Sequence, residues 1–199
     1  SVAKNVETTK QGHERALQNI KNAQSILSIA EAAQQKQLEL LQNVKTKLVK
    51  GNDPTLNSSQ KEAIFNSIKA VHQEIIDIGE NTSFNGQKFN QVDYTWGEGT
   101  KWSFTVGSGT SSDNTFDAFV NLYNATVSAV LGTNNEFNED NYSYLISRNM
   151  GSPVNWGINE HLNAMTKFIQ KTGSAIERLQ HKEDMIRSQI TANEAVRSN

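Results

Sequence analysis

The chain has 199 residues and no cysteine, and its 19 Lys+Arg against 21 Asp+Glu give a net charge of -2. That length allows one or two domains and a sizeable core, while so even a charge balance supplies no basic field of the kind that nucleic acid or an anionic membrane selects. Disulfide staples and thiolate metal sites are excluded, no apolar run reaches the roughly eighteen residues that a membrane span needs, and a start at Ser1-Val2-Ala3-Lys4, neither signal peptide nor initiator methionine, suggests a trimmed chain.

From Val6 to Val49 there is no proline, and Gly12 is the single glycine. Ile20, Leu27, Gln34, Leu41 and Leu48 share one heptad line, and Ala16, Ala23, Ala30, Gln37 and Val44 the neighbouring one. The spacing predicts one helix of about forty residues, roughly 60 Å long at ~1.5 Å per residue. Its alanines let a partner helix come close. Gln34 and Gln37 interrupt the seam, either as a polar layer that sets register or as a solvated stripe. Lys50-Gly51-Asn52-Asp53-Pro54 is a turn by composition. A second, antiparallel helix is expected after it, with Ser59 and Glu62 as a capping box, a start near Gln60, a seam of Ile64, Ile68, Val71, Ile75 and Ile78, and a left-handed stop at Gly79.

Beyond the loop Asn81-Thr82-Ser83-Phe84-Asn85-Gly86, the runs Phe89, Val92, Tyr94, Trp96 and Trp102, Phe104, Val106 flank Gly97-Glu98-Gly99 and read as a β-hairpin whose aromatic face packs on the helical rod or the next segment. After the Gly107–Ser112 link, Asp113 or Asn114 could cap a helix carrying Phe116, Phe119, Val120, Tyr123, Val127 and Leu131 and ending at Gly132; Thr133 to Trp156 is Asn-rich and reads as irregular. The heptad returns from Ile158 to the end, through Leu162, Met165, Ile169, Thr172, Ile176, Leu179, Glu183, Ile186, Ile190, Asn193 and Arg197. The expected fold is therefore mainly α: an elongated antiparallel bundle of two long helices and one shorter helix, residues 1–87 and 158–199, with a variable insertion over 88–157 that holds a β-hairpin and a short helix.

Chemistry is sparse. His13, His72, His161 and His181 show no i, i+4 metal spacing, and HExxH is absent. Asn134 to Asn141 lacks the alternation and central glycine of a calcium loop and reads as a solvated turn. The glycine pairs around Glu98 and Ser108 precede no lysine-and-helix arrangement that would cradle phosphate. Trp96, Trp102 and Trp156 could form a sugar platform, though aromatic hairpins more often pack on themselves. Sequons at Asn57, Asn81, Asn124 and Asn141 matter only where the matching machinery exists. No catalytic, cofactor-binding or metal-ligating residue is nominated, and no enzymatic activity is expected.

Several stretches resemble bacterial flagellin, the subunit of the flagellar filament. They are Asn19-Ile20 with Asn22-Ala23-Gln24-Ser25-Ile26-Leu27-Ser28-Ile29-Ala30-Glu31, then Leu41-Gln42-Asn43-Val44-Lys45, then Thr82-Ser83-Phe84-Asn85-Gly86, and near the end Glu183-Asp184, Ile190 to Ala195 and Arg197-Ser198. The turn at Thr82, Phe84, Asn85 and Gly86, similar to the family's T-x-F-N-G, is the most specific. The resemblance covers roughly residues 10–90 and 160–199.

The resemblance implies a rod domain whose long helices would continue, in the whole protein, into coiled-coil ends that are missing from this fragment. It implies a self-assembling structural subunit secreted to the extracellular flagellum, serving motility, with other flagellin subunits, an export chaperone and the filament cap as partners and no cofactor. A hook–filament junction protein of the same superfamily is the alternative, followed by a glycan-binding or enzymatic module displayed in the insertion. Where receptor-recognised members carry arginine, leucine and glutamate, an ungapped match puts Asn43, Lys47 and Ser67 here, so weak recognition by an innate Toll-like receptor is expected.

Overall fold

A computed structural model describes residues 1–90, 99–107, 114–124, 136–151 and 157–198. Two long helices, α1 (Val2–Gly51) and, at the end of the chain, α4 (Ile158–Ser198), lie side by side and antiparallel. Cross-contacts fix the direction: Lys10 Nζ reaches Glu194 Oε1 at 2.7 Å, and Gln24 Nε2 donates to Gln180 Oε1 at 3.3 Å. Ser1 caps α1 through its hydroxyl, which accepts from the Lys4 N–H. At about 1.5 Å per residue, α1 alone is about 75 Å long. The mainly helical bundle expected from the heptads is present, with small antiparallel strand pairs beside it.

Helix α2 (Ser58–Asn81) runs back along α1, joined to it where Gln37 Nε2 donates to Ile75 O at 2.9 Å. Both of its ends correct the sequence reading. Its cap is Asn57, two residues before Ser59: Gln60 N–H donates to Asn57 Oδ1 at 2.8 Å, and Asn57 N–H to Gln60 Oε1 at 2.9 Å. Asn57/Gln60 satisfies the same reciprocal template as Ser59/Glu62, and it begins closer to the Asp53–Thr55 turn, so two more residues become helical. Gly79 does not stop the helix, which continues to Asn81; extended Thr82 ends it.

Strands β1 (Ser83–Phe84) and β2 (Gln87–Lys88) form a minimal hairpin around Asn85-Gly86. Strands β3 (Thr100–Thr105) and β4 (Thr115–Val120) pair antiparallel, with Trp102 opposite Ala118 and Phe104 opposite Phe116. The partner of the Trp102 strand is thus the segment expected to be a helix. Phe116, Phe119, Val120 and Tyr123 fit a helical spacing, but the inward set is Phe116, Ala118 and Val120, a period of two that only a facing strand makes useful. Val92, Tyr94 and Trp96, the first arm of the expected hairpin, lie outside the described residues, as do Val127 and Leu131. A further correction is α3 (Glu139–Met150) in the stretch read as irregular; Asn138 caps it by accepting from the Asn141 N–H at 2.7 Å, with Glu139 and Asp140 in the first turn.

The buried side chains form two clusters along the rod. Near the α1–α2 turn, Leu40, Leu41, Val44 and Leu48 meet Phe65, Ile68, Ile75 and Ile76 of α2, Tyr142 and Leu145 of α3, and Ile158, Met165 and Phe168 of α4. In the other, Ile20, Ala23, Leu27 and Ala30 of α1 and Ala175 and Leu179 of α4 receive the inner face of the β3–β4 sheet, with Phe89 stacked on Trp102 at 4.5 Å between centroids. The aromatic face is therefore covered by the helical rod, and the small side chains of α1 make room for it.

Candidate functional site

Between the two clusters α1 places Gln34 and Gln37, both fully buried. They are a polar layer, not a solvated stripe, and they hold residues 121–124, a strap that crosses the rod after β4. Gln37 grips both polar groups of one residue: its Oε1 accepts from Tyr123 N–H at 3.0 Å, and its Nε2 donates to Tyr123 O at 2.9 Å. Gln34 Nε2 donates to Asn121 O at 2.8 Å. On Leu122, Asn90 does the same as Gln37 does on Tyr123, donating to its carbonyl at 3.1 Å and accepting from its N–H at 3.2 Å. Strap residues buried in a bundle need a partner for every backbone donor and acceptor, and an amide side chain offers one of each. Three amides thus stand in for a neighbouring strand.

Gly79 belongs to the same site. A Cβ built there would lie 1.7 Å from Tyr123 O, so only glycine lets α2 pass this close to the strap. Asn90 adds a weaker bond to Gly79 O at 3.4 Å. Tyr123 then points into the core, where His72 Nε2 lies 3.3 Å from its hydroxyl and His161 packs against its ring at 5.4 Å between centroids. Burial holds His72 down at about 4, with the nearby His161 adding to the effect, and pushes the Tyr123 phenol well above its usual range. Gln34, Gln37, Gly79, Asn90 and Tyr123 form a site that heptad logic alone misses; amides on a seam line, facing an Asn-flanked Leu122-Tyr123 pair, are the signal that could have found it.

On α1, Ile20, Leu27, Leu41 and Leu48 are fully buried. On α2 the buried line is Phe65, Ile68, His72, Ile75 and Gly79, while Ile64, Val71 and Ile78 flank it half-buried. On α4 the buried line is His161, Met165, Phe168, Thr172, Ala175, Leu179 and Glu183; Leu162, Ile169, Ile176 and Ile186 lie beside it, and the Arg197 side chain is outside the described residues. In the turn motif, Thr82 Oγ1 donates back to Ile78 O, Asn85 and Gly86 take φ of 49° and 77°, and Phe84 packs half-buried against the sheet cluster. Two successive positive φ values are the signature of the primed two-residue turn. Asn43 and Lys47 stand one turn apart on α1, exposed and half-buried, with half-buried Ser67 on α2.

No group of three or more metal-ligating side chains occurs among the described residues, and no described helix is long and apolar enough to cross a membrane. Trp102 is buried and offers no face to a sugar; Trp96 and Trp156 lie outside the described residues. An open crevice of about 330 Å³ beside the α1–α2 turn is lined by Asp53, Pro54, Lys61, Tyr142 and Met150, among others. Comparison with curated proteins gives no match. Residues 1–91 match the family model of the bacterial flagellin N-terminal helical region, which spans α1, α2 and the first hairpin. That match covers 91 of the 199 residues, less than half of the chain, and likens this region alone to the bacterial flagellins.

Proposed function

We propose that the protein is the self-assembling subunit of a flagellar filament, acting in motility, with residues 1–87 and 158–199 as its rod and 88–157 as a variable insertion. The carrying observation is the flagellin N-terminal match on a rod of two long antiparallel helices. The rod supplies length and a stiff surface for subunit packing rather than a cavity for chemistry. Other flagellin subunits are its partners in the polymer, and an export chaperone and a filament cap serve it before and during assembly. Electron microscopy of protein expressed from the whole gene tests the proposal. Long filaments are expected; a short layer confined to the hook end would make it a junction protein, and failure to assemble would remove both readings.

Recognition by an innate receptor is weak in this reading. Asn43 cannot make the forked bonds of an arginine, Lys47 replaces an apolar anchor with a charge, and Ser67 lacks a carboxylate. In a receptor-reporter cell assay, Asn43→Arg with Lys47→Leu and Ser67→Glu should raise the response at a given dose by at least about tenfold, about 1.4 kcal/mol of interaction.

A further inference from the structure

The β1–β2 hairpin turns on Asn85-Gly86, the single Asn-Gly pair in the chain. Both residues are exposed, with φ of 49° and 77°, and a Cβ built on Gly86 meets nothing within 4 Å. Phe84 and Gln87 face each other across the end of the ladder, so the peptide unit between Asn85 and Gly86 lies outside it, at the corner. We propose that this turn is a self-modification site. In the folded protein the Gly86 backbone nitrogen attacks the Asn85 side chain, and the succinimide so formed opens in water to aspartate or isoaspartate, the second of which loosens the hairpin.

The turn reaches the attacking geometry without opening. Rotating the corner peptide converts a type I′ turn into a type II′ turn: ψ of the first corner residue goes from about 30° to about −120°, φ of the second changes sign, and φ of the first stays positive. Glycine accepts either sign of φ, and the space beside Gly86 is open. At the new ψ, Cβ and the following nitrogen are nearly eclipsed about the Cα–C bond, which brings the side-chain carbonyl carbon of Asn85 over Gly86 N as a near-attack pair. The Gly86 N–H gives its proton to solvent base and the nitrogen bonds to Asn85 Cγ. The Cγ–Nδ2 bond breaks, and the leaving NH2 takes up a proton and departs as ammonia. Water then cleaves one of two ring bonds. Cleavage at Cγ leaves aspartate and the original main chain; cleavage at the Asn85 carbonyl carbon leaves isoaspartate, with the main chain routed through Cβ and Cγ. Either product adds one negative charge to a chain of net charge -2. Aspartate tolerates the left-handed corner as asparagine does, whereas isoaspartate puts an extra backbone atom into a turn held by two residue pairs. The next bond outward is Phe89 N–H to Thr82 O at 3.2 Å, which seats the Phe89 ring on Trp102.

The intact protein, aged at neutral and mildly alkaline pH and mapped by peptide mass spectrometry with enzymatic isoaspartate methylation as a second readout, tests this. Conversion at Asn85 should outrun that at Asn52, an exposed asparagine before the bulkier Asp53, by at least about tenfold, and should rise with pH. Urea below the unfolding transition, or Leu48→Ala in the other cluster, should leave the Asn85 rate within about twofold of its native value. A rate that climbs with either would place the chemistry in the unfolded chain and overturn the proposal, as would an Asn85 that converts no faster than Asn52. Should Leu48→Ala not fold, the urea series decides. In the isolated isoaspartate form, hydrogen exchange of the Phe89 N–H should be at least about tenfold faster than in unmodified protein, and in Asn85→Asp and Asn85→Gly, which both accept a positive φ, it should stay within about twofold. Equal protection of Phe89 in all of these forms would overturn the loosening.

Discussion

Gly79 reverses the ordinary expectation for its residue type. In an exposed helix interior, glycine to alanine gains about 1 kcal/mol from propensity; here the added methyl would collide with Tyr123 O, a backbone atom that cannot swing aside. Gly79→Ala should therefore destabilise by about 1–3 kcal/mol in denaturant unfolding, and a stabilised variant would show that the strap does not cross there. The histidines set a second expectation at this scale. His72 is held at about 4 in the folded protein against 6.5 when unfolded, so between those values the unfolded chain binds the extra proton. Stability rises with pH across that window and is lost as pH falls through it, by up to about 3 kcal/mol for this one group. Unfolding free energies that stay flat between pH 4 and 6.5, or an unchanged profile in His72→Gln, would contradict it.

The helices are the elements that the sequence expressed best, since heptads over Ile20–Leu48 and Ile158–Glu183 can be satisfied only by helices packed lengthwise. Their ends and the β4 segment were less legible for a common reason: two patterns fitted and a partner outside the window chose between them. Asn57/Gln60 and Ser59/Glu62 are both capping pairs, and the turn at Asp53 selected the first. Phe116 to Val120 fits a helix as well as a strand, and the Trp102 strand selected β4. Helix α3 escaped because its signal was a single cap, Asn138, inside an asparagine-rich run. The cap assignment has a direct check. Asn57→Ala should lower stability by about 1 kcal/mol, and Ser59→Ala by no more than about 0.5; the reverse order in thermal or denaturant melts would restore the later start.

At the scale of the molecule the question is whether two apolar clusters parted by a polar layer behave as one folding unit. The amides at Gln34 and Gln37 could act as a boundary, because neither cluster's side chains cross them. Yet α1 and α4 each run unbroken through both clusters, and the strap's bonds at the layer tie β4 on one side to Tyr123 on the other. Losing either cluster leaves long helices with an uncovered apolar face, which isolated helices do not sustain in water. Unfolding should therefore be a single transition. Leu27→Ala in the sheet cluster and Ile75→Ala in the turn-end cluster remove fully buried side chains and should each cost about 2–5 kcal/mol. Each should move the whole transition without changing its denaturant slope, and the double variant should sum the two within about 0.5 kcal/mol. Two transitions, each shifted by only one of the substitutions, would instead make the glutamine layer a seam between independently folding halves, with the strap as a hinge rather than a clamp.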